Sequence, residues 1–106
     1  MSKQQTIRLI KKYVHKIEAS GIPVEKAYIF GSSIKGNFHR GSDIDTCIVS
    51  PRFGKDRQKE RILLMNLRQE VSDLIEPHPF SLKDFESKYN PFVQEIKNNG
   101  LSVSGF

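Results

Sequence analysis

An α/β domain built on one small mixed β-sheet with flanking helices is predicted, and three observations predict it. Apolar residues recur at helical spacing near the N-terminus. Two short apolar or β-branched runs, KAYIF at 26–30 and DIDTCIVS at 43–50, have the length of strands. Helical patterns alternate with these runs, and Gly and Pro punctuate the boundaries. The chain of 106 residues suits one small domain, 1–106, with an N-terminal helix over 1–21 and the remaining elements over 26–106.

The elements follow in order. Ile7, Ile10, Val14 and Ile17 share one helical face, so a helix is expected over 4–20, stopped by Gly21 and reinforced by Pro23. Residues 26–30 read as a buried strand ended by Gly31, with Ser32 capping a short helix that stops near Gly36. Residues 37–42 read as a loop. Over 43–50, strand alternation sends Asp43, Asp45 and Cys47 to one face and Ile44, Thr46 and Ile48 to the other. Pro51 ends that run. A second long helix is expected over 56–70, with Leu64, Leu67 and Val71 turned inward. A third strand is expected over 72–77 (SDLIEP). Ser81 caps a short helix through Phe85, with Asp84 three residues on. Asn90-Pro91 opens a last helix in the cap and first-turn positions, Gly100 closes it, and LSV at 101–103 reads as a final short strand.

Bulk composition excludes several classes. Apolar content of 37% and charged content of 27% are globular values and argue against disorder. No apolar run approaches membrane-spanning length, and no signal-peptide core follows the polar start, so a cytoplasmic protein without membrane attachment is expected. The single cysteine, Cys47, rules out an internal disulfide and a Cys-rich zinc site. The net charge of +5 permits attraction to polyanions, yet much of the excess falls in Lys3–Lys16 and Arg52–Arg61, where solvated helix faces account for it. No aromatic-interleaved basic motif of the base-stacking kind occurs, so nucleic acid is not an expected partner.

Chemistry concentrates in residues 28–50, YIFGSSIKGNFHRGSDIDTCIVS. Residues two apart on a strand project from one face, so Asp43 and Asp45 aim two carboxylates at one place. Such a pair repels unless a positive charge lies between them, and hard oxygen ligands suit Mg²⁺, which often bridges to substrate phosphates. In isolation an Asp-x-Asp reads as a turn cap plus a lysine partner. Gly31-Ser32 changes the weighing. A strand that ends in glycine and turns into a helix presents free backbone N–H groups, which form an anion site. The Ser32 or Ser33 hydroxyl can donate to phosphate, Lys35 adds charge, and Gly36 lets the loop close tightly. The pattern is not a P-loop, since Lys35 precedes Gly36 and no Gly-Lys-Ser/Thr triplet is present. A phosphate cradle beside a carboxylate pair suits phosphoryl or nucleotidyl transfer, where catalysis is mostly positioning and charge neutralisation.

The series Gly31-Ser32-Ser33-Ile34-Lys35-Gly36 followed by Ser42-Asp43-Ile44-Asp45 resembles the signature of the DNA polymerase β-like nucleotidyltransferases, and the short chain resembles their minimal branch. The stretches Ile75–Phe80 and Asn90–Phe92 resemble that branch as well, so the likeness runs from about Lys26 to Val103. It implies a sheet with paired metal-binding aspartates, matched by Asp43 and Asp45, and a third carboxylate on a neighbouring strand. Glu76 is preferred to Asp73 for the third, to complete a second metal site or help deprotonate the acceptor. It also implies nucleotide binding by Gly31, Ser32, Ser33, Lys35 and Gly36. Two departures stand out. Ile34-Lys35 replaces the Ala-Arg common in relatives, so the bidentate fork of arginine is missing, and Thr46 replaces an aliphatic residue. Neither removes a ligand.

The expected reaction is transfer of a nucleoside monophosphate from an NTP, with ATP the expected substrate, to a hydroxyl acceptor, with two Mg²⁺ ions. The minimal branch is often partnered with an all-helical HEPN-type protein as a toxin–antitoxin pair, which implies a protein acceptor modified with AMP and a homo- or hetero-oligomer. Two alternatives stay open: a non-catalytic module that neutralises its partner by occlusion, and transfer to a small molecule. Other polar residues receive structural readings: His15 as solvated, His78 as a strand-end residue, and Cys47 as a small core residue. His39 and Arg40 lie in the active loop as candidates for nucleotide contact.

Overall fold

In the computed structural model of the chain, residues 2–31 and 43–106 are described. The expected short helix after Gly31 and the loop at 37–42 lie outside them. Helix α1 (Lys3–Ala19) starts in a capping box: Gln5 N–H donates to Ser2 Oγ at 3.1 Å, and Ser2 N–H donates to Gln5 Oε1 at 2.8 Å. It ends where Ile22 N–H reaches the Ile17 carbonyl and Gly21 N–H reaches that of Glu18. Gly21 sits at φ +99°, the left-handed residue that such a helix stop requires.

Strands β1 (Lys26–Phe30), β2 (Ile44–Val49), β3 (Ile75–Phe80) and β4 (Leu101–Val103) form one sheet in the order β3-β2-β1-β4. β1 pairs antiparallel with β2 and β4, while β2 and β3 are parallel, so the sheet is mixed as predicted. Helix α2 (Arg57–Leu67) continues as a 3-10 turn over Arg68–Glu70, α3 covers Leu82–Phe85 under the Ser81 cap, and α4 covers Pro91–Asn99 under the Asn90 cap. No helix among the described residues is long and apolar enough to cross a membrane.

Each sheet face carries its own core. On one, Ile10, Tyr13, Val14 and Ile17 of α1 and Leu64 of α2 pack on Ile29, Ile44, Ile48 and Ile75. On the other, Phe85 of α3 and Val93 and Ile96 of α4 pack on Phe30, Cys47, Val49 and Phe80. The alternation expected of β2 holds: Ile44 and Ile48 join the first core and Cys47 the second. Tyr13 donates its hydroxyl to the Leu64 carbonyl at 2.6 Å, tying α1 to α2. Burial holds the Tyr13 phenol in its neutral form, its pKa well above the usual tyrosine range.

The third strand requires a correction. Instead of the expected 72–77, it runs over Ile75–Phe80, through Pro77 and Pro79. β3 is an edge strand, and its even-numbered residues face β2: Ile44 N–H reaches the Leu74 carbonyl and Ser50 N–H that of Phe80. The prolines occupy the odd positions, whose N–H groups would point away from the sheet, so the ladder loses no donor. Proline here also blunts an open edge. Residues 72–74 form the turn ahead of the strand, where Arg68 donates to the carbonyls of Asp73 and Ile75 at 2.9 and 2.6 Å.

Candidate functional site

Asp45 lies at the start of β2, on the same face as Cys47, between Phe30 of β1 and Glu76 of β3 in register. Asp43 is exposed just ahead of the strand. Glu76 therefore stands directly beside Asp45 on the neighbouring strand and on the same face, since Phe80, four residues on, joins Cys47 and Val49 in one core. Asp73, the other sequence candidate, is exposed in the turn before β3. Of the cradle residues, Gly31 is described; Ser32, Ser33, Lys35 and Gly36 lie outside the described residues, as do His39 and Arg40.

Gly31 meets Asp45 closely. It takes φ +80°, and a β-carbon built on it would overlap Asp45 Oδ2 and come within 3.3 Å of Cγ. Glycine is thus demanded twice, by conformation and by space. The turn that ends β1 lies directly against the carboxylate.

The second carboxylate oxygen is held from the other side. His78 Nε2 lies 3.2 Å from Asp45 Oδ1. A carboxylate only accepts, so Nε2 is the donor and carries the proton. The imidazole is flanked by Phe30 and Phe92, with ring centroids at 5.2 and 6.1 Å. The strand-end reading of His78 missed this contact. The signal was present once β3 reaches Phe80: Glu76, His78 and Phe80 then alternate onto the Asp45 face.

Glu76 is paired with two arginines, Arg61 at 3.4 Å and Arg68 at 3.9 Å. Both distances are long and Arg61 is half exposed, so the bridges hold the carboxylate weakly, at about 0–1 kcal/mol. Among the described residues no three His, Cys, Asp or Glu side chains converge on one point; Asp45 and Glu76 each face another partner. The donor set still fits a divalent cation. Carboxylate oxygens are the ligands such a cation takes, and Asp45 and Glu76 stand in register on one face of neighbouring strands. Beside His78 a cleft of about 240 Å³ opens between Arg57 and Arg61 of α2 and Phe92 of α4. Cys47 is buried beneath the site, and burial pushes its thiol pKa up, so it stays protonated and inert.

Among solved structures, a protein of Sulfolobus solfataricus with a provisional nucleotidyltransferase assignment superposes with a TM-score of 0.62 at 18% identity, covering 95% of this chain and 81% of that one. At that identity the likeness concerns the fold. A mutant form of the toxin–antitoxin MntA-HpeT is a more distant neighbour, with a TM-score of 0.48 at 16% identity, covering 100% of this chain and 75% of that one. No curated protein matches the chain in sequence. The family model for the nucleotidyltransferase domain matches residues 7–100, a span from α1 to the end of α4 that contains the glycine turn, both aspartates and Glu76, and the chain belongs to that family.

Proposed function

We propose that the chain transfers a nucleoside monophosphate, AMP from ATP, to a hydroxyl group of a helical partner protein. The observation that carries this reading is the packing of Gly31 against the Asp45 carboxylate, with Glu76 in register beside it. A triphosphate drawn to the turn after β1 meets the carboxylates of the next two strands.

Asp43, Asp45 and Glu76 are the residues to hold two Mg²⁺ ions, which when bound neutralise phosphate charge and polarise the reacting phosphoryl group. Gly31 brings backbone close to the phosphates, and Ser32, Ser33, Lys35 and Gly36 complete the cradle. The acceptor oxygen bonds to the α-phosphorus, the bond from that phosphorus to the α–β bridging oxygen breaks, and pyrophosphate leaves with the electron pair. The acceptor proton passes to Glu76, whose exposed bridge to Arg61 is cheap to open. The partner assignment, to a HEPN-type helical protein in a hetero-oligomer, rests on the resemblance to minimal nucleotidyltransferases.

The test is incubation with Mg²⁺, α-labelled ATP and the product of any adjacent gene for a helical protein. Label on the partner, lost in Asp43→Asn/Asp45→Asn, is the expected result. No label with any of the four NTPs while the complex still forms would sink transfer to the partner and favour neutralisation by occlusion, with small-molecule acceptors the next to be excluded.

A further inference from the structure

We infer that His78 is a positioning residue for Asp45: its Nε2–H fixes the plane of that carboxylate and so sets the cation affinity of the site. This rests on the reading of Asp45 as a ligand. The χ2 torsion of an aspartate is broad and roughly two-fold, so a carboxylate on a strand does not by itself present a fixed oxygen. Asp45 is constrained on both sides. Oδ2 lies against Gly31, where even a β-carbon has no room, and Oδ1 accepts from His78 Nε2 at 3.2 Å.

The donor is itself fixed. His78 sits two residue pairs beyond Asp45 and Glu76 in the parallel ladder, opposite Cys47. Pro77 and Pro79 flank it, which locks φ at both neighbours and confines the His78 backbone to extended geometry. Phe30, which pairs with Asp45 across β1 and β2, places its ring 5.2 Å from the imidazole, and Phe92 closes from α4 at 6.1 Å. The ring therefore has an aromatic seat and one outward task, the bond to Oδ1.

Two substitutions separate the bond from the packing. His78→Phe keeps an aromatic ring between Phe30 and Phe92 and removes the donor. His78→Gln keeps an N–H at the reach of Nε2 and removes the ring. Binding of Mn²⁺ to the full chain is measured by electron paramagnetic resonance at one pH, with a non-hydrolysable α,β-methylene ATP analogue present. Loss of a partner that orients a ligand typically costs 10–100-fold in metal affinity. His78→Phe is expected to lower Mn²⁺ affinity roughly 10-fold or more, and His78→Gln to hold it within about three-fold of the parent. Parental affinity in His78→Phe overturns the inference while leaving the cation site intact, and so does equal weakening in both variants, which marks the ring packing as decisive. A parent chain that binds no Mn²⁺ overturns the ligand reading of Asp45 itself, and this inference with it.

Discussion

Replacing Gly31 by alanine isolates the contact on which the functional reading depends. A second glycine at positive φ gives an internal comparison. Gly21, at φ +99°, has nothing within 4 Å of the place a β-carbon would occupy, so Gly21→Ala carries only the conformational cost of the left-handed region, about 1–2 kcal/mol. Gly31→Ala carries that cost and must also displace the Asp45 carboxylate, forcing it off its rotamer for roughly another 0.5–1.5 kcal/mol. At about 2.1 cal/mol/K per residue, a chain of 106 residues has an unfolding entropy near 0.22 kcal/mol/K, so each kcal/mol lowers the melting midpoint by about 4–5 °C. Gly21→Ala is then expected to melt about 4–9 °C below the parent, and Gly31→Ala roughly 7–16 °C below it. The excess belongs to the pair, so in an Asp45→Ala background Gly31→Ala should cost no more than Gly21→Ala does. Calorimetry on the four-member cycle measures this directly. Partner labelling should be lost in Gly31→Ala and kept in Gly21→Ala. Equal midpoints for the two single variants, or an excess that survives in the Asp45→Ala background, would refute the reasoning.

Three further outcomes test the core around the site. Tyr13 is buried in its neutral form, so the folded state keeps its proton above about pH 10, where the unfolded chain releases it, and stability falls as pH rises past that point. Tyr13→Phe should therefore melt below the parent at pH 7, with the gap narrowing above about pH 10; a constant gap would contradict the burial argument. The cost at pH 7 should stay near 1 kcal/mol, because the Leu64 carbonyl also accepts from the Arg68 N–H. Cys47, fully buried with its thiol pKa raised, should resist alkylation in the native state at pH 8 and react completely in denaturant, as mass spectrometry would record. Leu64→Ala should cost about 2–5 kcal/mol in urea titration, since Leu64 is the one fully buried side chain of α2 and closes the core between α1 and β3.

Most of the fold was legible because local signals agreed. The spacing of Ile10, Val14 and Ile17 in α1, the Asn90-Pro91 opening of α4 and the glycine stops at 21 and 100 each report on a few neighbouring residues, and each is realised. The third strand was misplaced by three residues because proline argues against a strand, and the exception depends on topology. Pro77 and Pro79 are tolerated only because β3 is an edge and because both fall on its outward alternation. Neither fact can be read from SDLIEPHPF, since edge position is settled by which strands pair.

The site divides along the same line. Asp43-x-Asp45 and Gly31 could be singled out because period-two alternation and a strand-ending glycine are local. What local signals could not supply was the register between β2 and β3. A slip of one residue would turn Glu76 to the opposite face and bring Pro77 or Ile75, according to its direction, beside Asp45. The observed register is favoured because it buries Ile75 with Ile44 and Ile48 on one face and Phe80 with Val49 on the other. The packing of apolar residues four positions from the chemistry thus decides which polar side chains meet. The same register that sets Glu76 beside Asp45 delivers His78 to its second oxygen, although the two residues are 33 positions apart in the chain.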